Sequence, residues 1–210
     1  MSRKYEHIVF DLDGTLIDSE LPCLKTWQHT LRRYGYEFTL EEVRKVFGLP
    51  TIESLAGLGV TGVDAEEFQQ QWFEDYHLVA SEATFYPGTE ELLRRLKEAG
   101  LSIGAATSRT QQEYDAFFPH FHLERFMGLV VVADMTEKHK PEADPLLYYA
   151  EQTGASPSEC LFIGDMPTDM AAARAAGFGA GLLAWTPDKD RIEADRIFHS
   201  CEELQQALLM

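Results

Sequence analysis

The sequence predicts an α/β fold: a doubly wound parallel sheet carrying an all-helical insertion. Three observations predict it. Short apolar runs recur along the chain with amphipathic helical stretches between them, the pattern of βαβ units. Those runs end in polar residues: Asp11 and Asp13, Thr107 and Ser108, Asp134, and Asp165. One long stretch, residues 17–84, breaks the alternation and reads as helix.

Taken in order, His7-Ile8-Val9-Phe10 opens a central strand over Ile8–Asp11, because an uninterrupted apolar run suits a strand buried on both faces. The insertion follows. Ile17–Tyr34 has Leu21, Leu24, Trp27, Leu31 and Tyr34 at helical spacing. Thr39-Leu40-Glu41-Glu42 has capping-box form and opens a helix through Val43, Val46 and Phe47. Thr51–Leu58 reads as a third helix, and Asp64 starts a longer one through Phe68, Trp72, Tyr76 and Val79. Trp27 and Trp72 are this block's own core.

The alternation then resumes. Glu90–Glu98 is a helix with Leu92, Leu93 and Leu96 on one face and Gly100 as its stop. Leu101–Ala106 is a strand, Gln111–Phe118 a short helix, and Leu129–Ala133 a β-branched strand. Pro145–Gln152 is helical, Cys160–Gly164 a strand, and a helix runs through Ala171-Ala172-Ala173-Arg174. Gly181–Trp185 and Asp195–Phe198 read as strands, and Glu202–Leu209 as the last helix. Residues 1–16 with 85–210 therefore form the sheet-bearing core, and 17–84 the helical block.

Composition narrows the function classes. A formal net charge of −17 argues against nucleic acid as a partner. No run of about 18 apolar residues exists, and no apolar leader precedes the first strand, so a cytoplasmic protein without a membrane partner is expected. Cys23, Cys160 and Cys201 are scattered and read as reduced thiols rather than a disulfide frame or zinc site. The helical block holds twelve acids (Asp18 to Glu82) against five bases, a poor match for a polyanion.

Ligands of doubly wound sheets bind off the carboxyl ends of the strands, which places the site at those polar residues. Residues i and i+2 of an extended segment share a side, so Asp11 and Asp13 face one ligand. One carboxylate can attack phosphorus; the other can protonate a leaving oxygen and then activate water. Two carboxylates facing a phosphate need a cation, and Gly164-Asp165-Met166-Pro167-Thr168-Asp169 brings further acids to a second strand end. Oxygen-only donors suit Mg²⁺. Thr107 and Ser108 offer hydroxyls and amides for phosphate oxygens, and Lys140, held before Pro141, offers charge neutralisation.

Plainer readings bound these. The DxDG of a calcium loop would require an acid at the twelfth position, where Pro22 stands. His120 and His122 sit among Phe117, Phe118, Phe121 and Phe126 and read as part of a half-buried loop. Arg109 either touches substrate or pairs with a surface acid. Arg44 and Lys45 read as solvated. Lys138 is an alternative to Lys140; the following proline selects Lys140.

With these residues in view, the chain resembles the haloacid dehalogenase superfamily, of the phosphoglycolate-phosphatase and β-phosphoglucomutase-like type. DxDGT at Asp11–Thr15, Thr107 after the second core strand, Lys140-Pro141, and GDxxxD at Asp165 and Asp169 occur in the family's order along the whole chain. The resemblance implies a Rossmann-like core with residues 17–84 as its cap. It implies Asp11 as the nucleophile that becomes an aspartyl-phosphate, and Asp13 as general acid and base. Mg²⁺ would rest on the Asp11 side chain, the Asp13 carbonyl and Asp165, supported by Asp169. Thr107, Ser108 and Lys140 would bind the phosphoryl group. The implied activity is hydrolysis of a small phosphorylated metabolite. Alternatives are a sugar-phosphate mutase, a pyrophosphatase, or a non-catalytic phosphometabolite binder. The second aspartate, Asp13, departs from the true dehalogenases. The cap loop Gly48–Leu55 lacks the arginine usual in the mutases, and Leu49–Glu53 would set specificity. Lys25 and Lys45 are the only cap lysines, a weak basis for Schiff-base chemistry.

Overall fold

This computed structural model describes residues 5–47 and 51–209. The apolar run before Asp11 forms β1 (His7–Phe10), in which Ile8, Val9 and Phe10 are fully buried. Each contributes roughly 1.5–3 kcal/mol by leaving water. The strand ends at Phe10, so Asp11 stands just past it. After Leu12 the chain doubles back. The amides of Leu16 and Ile17 both donate to the Leu12 carbonyl, at 3.0 and 2.9 Å. Gly14 supplies the φ of +78° that this turn requires.

That turn corrects the first expected helix. Ile17–Asp18 is a short strand, β2, and α1 (Glu20–Arg33) begins only after it. Leu24 and Leu31 are buried, but Leu21 is 44% exposed. The buried stripe runs through Cys23, Thr26 and Thr30 instead, turned away from Leu21.

The remaining helices of this block are α2 (Leu40–Arg44), α3 (Thr51–Gly57) and α4 (Ala65–Tyr76). Thr39 and Glu42 close a capping box on α2, with the Glu42 amide 3.2 Å from the Thr39 hydroxyl. Val43 and Val46 are buried while Phe47, beyond the helix, is exposed. Asp64 caps α4 by accepting from the amides of Glu66 and Glu67. Phe68, Trp72 and Tyr76 lie four residues apart and are buried, and Trp27 packs on Phe68 with centroids 4.8 Å apart. Asp75 is buried beside them and accepts from Thr30 at 2.9 Å and Arg33 at 2.7 Å. The expected specificity loop falls partly outside the described residues, at Gly48-Leu49-Pro50.

The chain returns through β3 (Thr84–Phe85), which pairs with β2 in a separate two-stranded sheet. Then come α5 (Thr89–Glu98), β4 (Ser102–Ala106), α6 (Gln111–Phe117), β5 (Leu129–Val131), α7 (Asp144–Thr153), β6 (Cys160–Gly164), α8 (Pro167–Ala176), β7 (Gly179–Leu183), β8 (Arg196–Phe198) and α9 (Cys201–Leu209). The main sheet has six strands in the order β5-β4-β1-β6-β7-β8, every described pairing parallel. The chain divides into two compact units, Met1–Asp18 with Phe85–Met210, and Ser19–Thr84. Among the described residues, no helix is long and apolar enough to cross a membrane. The three cysteines are buried thiols outside any disulfide.

Two further expectations are corrected. Asp134 does not stand with the other strand-end acids. β5 stops at Val131, and a 3₁₀ turn at Ala133–Met135 carries the carboxylate to the start of α6, where it accepts from the Gln111 amide at 2.7 Å. His120 and His122 are exposed rather than half-buried. Phe117, Phe118 and Phe121 take the interior, because aromatic burial outweighs that of a histidine able to stay hydrated.

Candidate active site

The order β4-β1-β6 sets the ends of three strands side by side, and the site is built on those ends. Asp11 continues β1 by one hydrogen bond, its amide donating to the Ile163 carbonyl at 2.8 Å. Its side chain is buried, and Lys140 Nζ lies 2.6 Å from Oδ1. The same ammonium is 2.7 Å from Asp169 Oδ1 and 3.3 Å from the Ala106 carbonyl. One lysine thus ties the end of β4 to carboxylates that follow β1 and β6.

At β6 the chain turns sharply into α8. Asp169 Oδ2 accepts from the amides of Asp165 and Met166, at 3.1 and 3.0 Å. This is a carboxylate at a helix N-terminus, satisfying orphan donors there. The fit needs Gly164, because a Cβ at that position would lie 2.4 Å from Asp169 Cβ. Asp165 faces Gly14 as closely: a Cβ on Gly14 would sit 2.7 Å from Asp165 Oδ2. Thr15 Oγ1 donates to Asp165 Oδ1 at 3.0 Å.

Carboxylate oxygens of Asp11, Asp165 and Asp169 all lie within 4.8 Å of one another. Three buried acids with oxygen-only donors, in a cradle held open by two glycines, fit a hard divalent cation such as Mg²⁺. Lys189 also enters the cluster, paired with Asp165 Oδ2. Burial pushes the Asp11 carboxyl up to about 8; Lys140 opposes this, while Asp169 and Asp165 add to it. Burial likewise raises Asp165 against the pull of Lys189, with Asp169 adding to the rise. Burial works to lower the Lys140 ammonium, but the charges of Asp11 and Asp169 outweigh it and hold its pKa above the ordinary lysine value.

Asp13 turns its side chain elsewhere. Arg109 grips it with two bonds, Nε to Oδ2 at 3.0 Å and Nη2 to Oδ1 at 2.9 Å. The Arg109 amide donates to Thr107 Oγ1 at 3.2 Å, so the buried Thr107 and the half-buried Asp13 share one neighbour. Ser108 is exposed beside them. Arg109 is therefore paired with an acid of the site rather than with a surface acid. Lys189 gave no signal in the sequence: within Pro187-Asp188-Lys189-Asp190-Arg191 it looks like a solvated charge run. Thr15 was visible only as part of DxDGT.

The model of the haloacid dehalogenase-like hydrolase family matches residues 8–181. A pyrophosphatase PpaX from Bacillus velezensis is 30% identical over 186 residues, covering 88% of this chain and 85% of that protein. A phosphoglycolate phosphatase from Xylella fastidiosa is 31% identical over 183 residues, 85% of this chain and 80% of its own. A solved structure from Lactobacillus plantarum is 27% identical, with a TM-score of 0.87 over 97% of this chain and 99% of the other.

Proposed function

This chain belongs to the haloacid dehalogenase-like hydrolases, and we propose that it is a Mg²⁺-dependent phosphatase of a small phosphorylated metabolite, working through an aspartyl-phosphate on Asp11. The observation that carries the reading is the buried Asp11 carboxylate, held by Lys140 at 2.6 Å beside Asp165 and Asp169. A solitary carboxylate placed there would protonate and lose its nucleophilicity. Lys140 lowers its pKa part of the way, and a bound cation would complete the ionisation.

Asp11 and Asp165 side chains and the Asp13 carbonyl would hold the cation, with Asp169 bracing the loop that presents Asp165. When bound, the cation shields the nucleophile from the phosphate charge and polarises the phosphoryl group. Asp11 attacks phosphorus as the ester oxygen leaves. Asp13 donates the proton that oxygen needs, then takes one from the water that cleaves the acyl phosphate. Thr107, Ser108 and Lys140 bind the phosphoryl oxygens and stabilise charge that develops on them. Arg109, which bonds both Asp13 oxygens in this structure, holds the carboxylate form, so Asp13 gives up at least one of these bonds when it carries the proton.

The relatives' names cover both a phosphomonoester and a phosphoanhydride, and the same chemistry serves both. The test is phosphate release from a panel of small phosphoesters and pyrophosphate, with Mg²⁺ and with chelator. Mg²⁺-dependent release, lost in Asp11→Asn, is expected. Full activity in that variant would overturn the nucleophile. Binding without turnover across the panel would leave a metabolite binder.

A further inference from the structure

We propose that Lys189 is a resident counter-ion of Asp165 which a divalent cation must displace, so that this lysine sets how tightly the site takes its metal. The inference rests on the reading of the acidic cluster as a metal site. Lys189 itself lies beyond residues 8–181, the stretch that the family model matches.

Both oxygens of Asp165 are taken. Thr15 Oγ1 donates to Oδ1 at 3.0 Å, and Lys189 bonds Oδ2. Each oxygen can accept a second partner, but a cation on Asp165 would share the carboxylate with a hydroxyl and an ammonium, and the lysine has the greater reason to leave. Two positive charges on one carboxylate repel, whereas a hydroxyl and a cation coexist.

Exposure decides which lysine of the cluster yields. The Lys140 side chain is 6% exposed and bonds two carboxylates and a carbonyl, so its exit would strand all three. Lys189 is 24% exposed and holds one carboxylate. Its four-carbon stem can carry the ammonium into water without moving the backbone. The segment around it, Pro187–Arg191, is a 3₁₀ turn whose Asp190 pairs with His199 at 2.9 Å.

Charge points the same way. Three carboxylates against Lys140 and Lys189 leave the buried cluster at −1 when all are ionised. A divalent cation added to that set gives +1. With Lys189 expelled the cluster is neutral, the state that costs least to bury. Lys189 thus fills the site in the metal-free protein and withdraws when metal enters.

The test titrates Mg²⁺ by calorimetry into chelator-treated wild type, Lys189→Met and Lys189→Arg. Removing a competing unit charge from contact with a ligand oxygen is expected to tighten binding about tenfold or more in Lys189→Met. Lys189→Arg keeps the charge and is expected within about twofold of wild type. Equal or weaker binding by Lys189→Met overturns the proposal, and so does an arginine variant as tight as the methionine one. A wild type that takes no Mg²⁺ overturns the metal reading beneath it instead. A second measurement needs no variant. Wild-type protein is labelled with acetic anhydride, with and without Mg²⁺, and labelled lysines are read by peptide mass spectrometry. Mg²⁺ should raise labelling of Lys189 several-fold while Lys140 stays protected; unchanged Lys189 labelling overturns the displacement.

Discussion

Asp11→Asn should stabilise the metal-free protein, and do so increasingly as pH rises. Asp11 is 6% exposed, and its carboxyl is pushed from 3.8 up to about 8. A carboxyl whose folded pKa lies above its unfolded value takes nothing from stability below pH 3.8; its cost grows as pH rises towards 8. Each pH unit between those values is worth about 1.36 kcal/mol, a ceiling of ~6 kcal/mol. The value of about 8 already contains the pull of Lys140, which keeps the carboxyl from rising further. The expectation is a gain of several kcal/mol at pH 8.5, bounded by that ceiling, shrinking to about 1–2 kcal/mol at pH 5 and vanishing below about pH 4. Urea denaturation of both proteins in chelator, at several pH values, measures it. Saturating Mg²⁺ should then narrow or reverse the order, since a ligand at 100 times its Kd adds about 2.7 kcal/mol to the form that binds it. A difference independent of pH, or an asparagine variant less stable at pH 8.5, would refute the electrostatic account.

Other perturbations test other parts of the site and fold. Lys140→Met leaves buried Asp11 and Asp169 without their shared cation, and should cost about 3–5 kcal/mol in chelator by chemical denaturation. Gly14→Ala forces a side chain to φ +78° and a methyl within 2.7 Å of Asp165 Oδ2; turnover should fall about 100-fold, with Tm lowered far less than for a core truncation. Asp13→Asn should slow alkyl phosphates roughly 100- to 10,000-fold but p-nitrophenyl phosphate much less, because that leaving group needs little protonation; equal losses on both would remove Asp13 from the acid role. Asp75→Ala orphans the buried Thr30 hydroxyl and frees Arg33, and should destabilise the helical block by roughly 2–3 kcal/mol on thermal melting.

The legible part of the sequence was local. Ile8-Val9-Phe10 named a central strand because its apolar run is unbroken, and Asp11 stood out because such a strand has no reason to end in acid. Thr39 and Glu42 announced their own capping box. Asp165 and Asp169 were readable as strand-to-helix acids, four residues apart. The misses came where one neighbour redirected a segment. The turn at Leu12 delayed α1 to Glu20, and burial of Thr26 and Thr30 turned Leu21 outwards. Asp134 went to a helix start 23 residues away. The Arg109–Asp13 clamp spans 96 residues and the Lys189–Asp165 pair 24, so no local pattern encodes either.

The central place of β1 sets a timetable. Its partners are residues 102–106 and 160–164, and the Thr15 to Asp165 hydrogen bond closes a loop of 150 residues. On a ribosome adding roughly 5–20 residues per second, β1 waits on the order of ten seconds or more for its second neighbour. Until residues 102–106 emerge both edges of this apolar strand are open, and from then until 160–164 one is, the condition that invites wrong pairing. The two acids that follow it are then still in water. Ser19–Thr84 by contrast is contiguous and has no such wait. The last third of the chain thus completes the sheet and, in the same step, dehydrates the carboxylates.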